Sequence, residues 1–170
     1  SYRFTSLSLR KSGFQLSNKK NAVKMSLVYI PIIVVCFFLL KWLVVVLAPS
    51  TFPADMPFFN WSRFVPPNIT VGHMLYPGSV FMQEFLARVF MHENIERIFA
   101  VYGKKKAGIA AVILSSLFFA CVHLHQGFYY MMGAFALSVI LGMIYYKTSN
   151  FWLVFLIHLI AGDIAVSLIN

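Results

Sequence analysis

The chain has 170 residues, of which 60% are hydrophobic, 17% aromatic and only 11% charged, and its mean hydropathy is +0.78. A soluble domain carries about 45–50% apolar and about 25% charged residues, so this composition excludes an ordinary water-soluble domain and belongs in a bilayer. The net charge of +9 does not point to nucleic acid, because the basic residues fall in short blocks between apolar runs, where the positive-inside rule puts them.

Residues 1–24 carry Arg3, Arg10, Lys11, Lys19, Lys20 and Lys24 and no acid, which reads as a basic cytoplasmic lead-in and not as a cleavable signal peptide. Residues 25–48 are almost wholly apolar and long enough to cross about 30 Å of hydrocarbon, with Lys41 either snorkelling or facing the bundle. Residues 49–76 hold five prolines together with Asp55, Asn60 and Asn68, so they form a Pro-rich extramembrane or re-entrant loop. The Asn68-Ile69-Thr70 pattern within it matches a glycosylation acceptor.

Residues 77–170 read as a four-helix core. Pro77 suits the first turn of a helix that ends at Tyr102-Gly103 and is followed by Lys104-Lys105-Lys106. The next spans are 107–125, 128–146 with Gly133 and Gly142 as small packing positions, and 151–169. The expected fold class is therefore all-α, a polytopic transmembrane bundle of about five spanning helices around an intramembrane polar cavity. Lys104–Lys106, Lys147 and the N-terminus fall on one side, and the 49–76 loop, Gln126-Gly127 and the C-terminus on the other. Cys36 and Cys121 lie in apolar runs and read as buried small hydrophobes.

The stretch Ser79–Arg88 places a carboxylate and a guanidinium among Phe, Val, Met, Leu and Ala. Glu84 and Arg88 are four apart and share a helix face, which His92 and Glu96 continue. An ionisable group in hydrocarbon costs roughly 2.5–3.5 kcal/mol on insertion scales, so such residues face a protein interior or a wet cavity. His123, His158 and Asp163 add polar groups on two further helices, and a rise of about 1.5 Å per residue places them in one band with Glu84 about 10 Å down its helix. Each alone has a structural explanation: a helix-stabilising pair, or a hydrogen-bonded histidine. Together, in so charge-poor a chain, they favour a site, and Glu84, Arg88, His123 and His158 are expected to line one cavity.

A carboxylate beside an imidazole positions and deprotonates water, and a second imidazole stabilises an oxyanion, which is amide hydrolysis. Two histidines and a carboxylate also make a zinc set, but no HExxH is present and the site is expected to hold no metal and no cofactor.

Gln83-Glu84-x-x-x-Arg88 resembles the Glu-Glu-x-x-x-Arg motif of the CPBP family, the CAAX prenyl proteases and bacteriocin-processing enzymes. Phe119-Ala120-Cys121-Val122-His123 is similar to its Phe-x-x-x-His motif, and the run Tyr145–Trp152 leading to His158 to the approach to its third, His-bearing motif. The resemblance covers roughly residues 77–170. It implies an intramembrane glutamic endopeptidase in which the first glutamate and His123 activate water, and His158 with an asparagine four residues later forms the oxyanion site. Glu84 and Arg88 would pair structurally. This chain departs twice: the first-glutamate position is Gln83, and the asparagine position is Gly162, with Asp163 beside it as oxyanion support. Glutamine cannot act as a general base, so either Gln83 is an engineered replacement of a glutamate, or Glu84 takes that role, or the chain is a catalytically inactive relative, a binding or immunity subunit of a membrane complex. The implied partners are a peptide or membrane-anchored protein substrate, the lipid bilayer and, for the inactive relative, other subunits. The implied location is the bacterial inner membrane or the endoplasmic reticulum membrane.

Overall fold

A computed structural model of the chain describes residues 14, 16–51, 57–64 and 71–169. Most of the basic lead-in, part of the Pro-rich loop and Asn68-Ile69-Thr70 lie outside the described residues.

The described chain is a bundle of helices. Helix α1, Leu16–Leu47, keeps Pro31 inside it. Its 32 residues reach about 48 Å at 1.5 Å per residue, more than the ~30 Å hydrocarbon core, so its ends project beyond the apolar layer. Helix α2, Val71–Glu84, begins six residues earlier than the sequence suggests, and Pro77 lies within it and not at its start. The apolar run before the proline explains the early start: Met74 and Leu75 are among the most exposed hydrophobic residues of the chain and face outward, where lipid would take them. From Glu84 the same rod widens into a π-helix, Phe85–His92, and tightens again as α3, Glu93–Ile98. The remaining helices are α4, Lys104–Val122, α5, Phe128–Thr148, and α6, Phe151–Ile169.

The junctions follow from residues that tolerate unusual backbone. Gly103 and Gly127 precede α4 and α5 with φ of +93° and +112°, a region open to glycine and costly for other residues. After Ser149, in a left-handed conformation, Asn150 Oδ1 accepts the Leu153 N–H at 3.2 Å and caps α6.

Among the described residues, four helices are long and apolar enough to cross a membrane: Asn21–Leu47 within α1, α4, α5 and Phe151–Leu168 within α6. The motif-bearing rod, α2 with its π and α3 continuations, is the fifth helix, and its α2 part has 14 residues, short of a full span.

Helix α1 packs along α6, α4 along α5, and the π segment and α3 against α4. The core lies where Leu141, Leu153, Val154, Ile157 and Ala161 meet, all fully buried. Phe14 seals one end, stacked on Phe151 with ring centres 4.2 Å apart and edge-on to Phe81, Phe85 and Trp152. Cys36 and Cys121 are exposed, contrary to their reading as buried residues. An apolar run in a membrane protein does not separate core from lipid-facing positions, because both are apolar.

Gly108 lets α4 meet α5 closely, since a Cβ there would run into the Tyr146 ring. Gly108→Leu is expected to cost about 1–3 kcal/mol through overpacking, seen as a lower midpoint of unfolding in mixed micelles. An unchanged midpoint would show that the two helices part without cost.

Candidate functional site

Adjacent residues on a helix point in different directions, and at Gln83-Glu84 that divides two environments. Gln83 lines a cavity of about 660 Å³, and its side-chain Nε2 donates to Ser79 Oγ at 3.0 Å. Glu84 points inward and is wholly buried. Its Oε2 accepts from Arg88 Nε at 2.9 Å and its Oε1 accepts from His158 Nδ1 at 2.7 Å.

Arg88, also wholly buried, reaches further. Its Nη2 donates to the Ser138 carbonyl at 3.0 Å and to Ser138 Oγ at 2.8 Å. Its Nη1 has no hydrogen-bond partner among the described residues and lies 3.0 Å from where a Cβ on Gly142 would stand. Gly142 therefore makes the room for the guanidinium beside α5. The π segment carries this arginine, and such segments recur at functional sites because they re-aim side chains within a continuous helix.

The two histidines meet across one ring. Phe119 stacks on His123 with centres 4.5 Å apart and meets His158 edge-on at 5.6 Å. His123 Nδ1 lies 2.8 Å from the Phe119 carbonyl, which only accepts, so Nδ1 carries the proton. Nε2 of the neutral ring then keeps its lone pair for a water. In His158, Nδ1 is committed to Glu84, and Nε2 is the nitrogen left for a ligand.

The cavity also draws on Phe37 and Lys41 from α1, Tyr76 from α2, Tyr130 from α5, and Gly162 and Asp163 from α6. Lys41 faces the bundle, its Nζ donating to the Pro57 carbonyl at 3.2 Å and lying 5.2 Å from the centre of the Phe58 ring. These residues come from the end of the bundle that carries residues 57–64 and Gln126-Gly127, opposite Lys104–Lys106 and Lys147.

The structure brings Gln83, His123, His158 and Asp163 to one cavity. It does not bring Glu84 and Arg88 there, because they sit behind the wall, and this corrects the expectation that all four motif residues line it. A carboxylate with both oxygens engaged and no exposure orients its partners and has no contact with a cavity water. His92 and Glu96 face a second, more polar cavity of about 420 Å³ with Glu93, Arg97, Lys104 and Tyr145. Among the described residues, no three His, Cys, Asp or Glu side chains group so as to hold a metal ion.

Sequence reasoning passed over Ser138 and read Gly142 only as a small packing position. Ser138 stands alone as a serine in the apolar stretch of α5, the kind of polar interruption that signals a buried partner. Tyr76, placed at the end of the Pro-rich loop by the sequence, lies instead within α2 and lines the cavity.

A family model described as type II CAAX prenyl endopeptidase Rce1-like matches residues 65–162. The chain belongs to that family. The matched segment holds Gln83, Glu84, Arg88, His123, His158 and Gly162, so both departures of this Rce1-like chain from the motif pattern lie inside it. No curated protein and no solved structure shows significant similarity to the chain. Membership in the Rce1-like family, with its apolar helices, makes the chain an integral membrane protein of a CAAX-protease type.

Proposed function

We propose that the chain is an intramembrane endopeptidase that admits a membrane-anchored peptide to its cavity and hydrolyses it with a water held between Gln83 and His123. The observation that carries this reading is the fixed tautomer of His123, which offers Nε2 to the cavity while His158 is oriented by the buried Glu84–Arg88 pair. Gln83 orients the water by hydrogen bonds but takes no proton from it. Proton transfer then rests on His123 alone, and hydrolysis is slow.

The test is mass-spectrometric detection of cleavage of a farnesylated CAAX peptide by the reconstituted protein. Slow cleavage, lost in His123→Ala and raised in Gln83→Glu, supports the reading. No product from either the unaltered chain or Gln83→Glu sinks it.

A second reading is a relative that binds such peptides without cutting them. The amide at Gln83, hydrogen-bonded to Ser79 as an amide, favours it. Under this reading Gln83→Glu binds the peptide and cleaves nothing.

The lysine blocks support one orientation. With Lys104–Lys106 and Lys147 in the cytoplasm, as in a bacterial inner membrane, the cavity opens toward the other face. A cysteine at Gln126 is then expected to react with an impermeant thiol reagent added outside, and one at Lys105 only after permeabilisation. The opposite pattern would invert the topology.

A further inference from the structure

The polar cavity at the Lys104 end of the bundle has no part in the chemistry above. Along the π segment and α3, His92, Glu96 and Ala100 fall four apart, as do Glu93 and Arg97, so one face presents all five to it. Glu93 is already satisfied: Tyr145 Oη donates to its Oε1 at 2.8 Å, and Arg97 Nη2 lies 3.9 Å from its Oε2. Two charges in the wall remain, the Glu96 carboxylate and the Lys104 ammonium, and neither has an ion-pair partner among the described residues. Lys104 also opens α4, a 19-residue helix with no side-chain cap, whose free N–H groups add positive potential there. His92 forms the floor. It is 1% exposed, edge-on to Tyr145 with ring centres 5.4 Å apart, and neither ring nitrogen has a hydrogen-bond partner among the described residues. Buried polar groups are as a rule hydrogen-bonded, so an unpaired imidazole under a polar cavity points to a ligand above it.

Such a ligand carries both signs of charge. Lys104 and the α4 N-terminus suit an anion, as helix N-termini suit phosphate, and Glu96 suits a cation. No three His, Cys, Asp or Glu side chains group here to hold a metal ion among the described residues, which leaves an organic ammonium. Depth decides the source. The α4 span begins at Lys104, so the cavity lies at the bilayer surface, and Ile98 and Val101 beside it are 68% and 83% exposed, an apolar margin for acyl chains. We propose that this cavity binds the phosphoethanolamine headgroup of a membrane phospholipid, with phosphate at Lys104 and the α4 N-terminus and the ammonium at Glu96. The site holds its lipid whether or not the chain cleaves peptides.

The full chain is released from nanodiscs of equal parts phosphatidylethanolamine, phosphatidylcholine and phosphatidylglycerol, and the lipid it keeps is counted by native mass spectrometry. The unaltered chain is expected to keep phosphatidylethanolamine in preference to the other two. Glu96→Gln, at a partly exposed position, should lower that preference about tenfold, the worth of one charge-assisted hydrogen bond. Lys104→Gln, at an exposed one, should weaken retention of all three lipids, which share the phosphate. Equal retention of the three by the unaltered chain, or retention that either variant leaves unchanged, overturns the proposal. So does displacement of the bound lipid by glycerophosphoethanolamine at matching concentration, which would make the ligand a soluble headgroup and not a lipid.

Discussion

Gln83→Glu is expected to raise the rate of farnesyl-CAAX peptide cleavage by about 10²-fold or more. A glutamine amide has no group that takes a proton from water. Gln83 stands on the cavity wall one residue before the buried Glu84, and its Nε2 is bonded to Ser79. A carboxylate in its place has no proton to donate to Ser79 Oγ, so the hydroxyl turns to donate to the carboxylate instead, and the contact survives with its sense reversed. The new group takes a water proton that the amide cannot, and a positioned general base contributes typically 10²–10⁴-fold, or about 2.7–5.4 kcal/mol of barrier. Glu84 does not supply this already, because its two oxygens are held by Arg88 and His158 out of reach of the cavity. The increase should depend on His123, so the double variant with His123→Ala should show little of it. A rate unchanged by Gln83→Glu would place the catalytic water elsewhere.

Arg88→Met is expected to cost about 3–5 kcal/mol of stability, more than the overpacking at Gly108→Leu. The methionine fills much of the arginine volume, so the cost comes from what is left behind. Glu84, wholly buried, would keep only its bond to His158, and the Ser138 hydroxyl and carbonyl would both lose a donor. Removing one member of a buried pair strands the other charge in a medium that cannot solvate it. Equilibrium unfolding in mixed micelles measures this. A loss under about 1 kcal/mol would mean that water or lipid headgroups reach Glu84 and that the pair is not sealed.

How much of this was legible in the sequence differs from residue to residue. The bundle was readable because hydropathy records the solvent directly, and α1, α4, α5 and α6 each hold a predominantly apolar stretch long enough to cross a bilayer. The contact between Glu84 and Arg88 was readable from their spacing, since neighbours four apart share a face of a helix. The side of the cavity wall on which they lie was not readable, because that depends on which face of the rod meets α6, a tertiary fact. The start of α2 at Val71 was hidden by Pro77, which marks the first turn of a helix more often than its second. Ser138 escaped notice and Gly142 read only as a packing position, because a serine and a glycine in a membrane span usually serve packing alone. Their value here comes from the Arg88 guanidinium they accommodate, 50 residues from Ser138 and 54 from Gly142.

Those separations matter for how the protein is made. Glu84 and Arg88 emerge from the ribosome as near neighbours on one segment, so each charge has its counter-ion from the outset. Ser138 follows Arg88 by 50 residues and His158 follows Glu84 by 74. The segment bearing the ion pair is therefore synthesised before the two helices that satisfy it, and for that interval it is a poor tenant of the hydrocarbon layer. The charges of the second helix gain their full set of partners only once the last hairpin has been made.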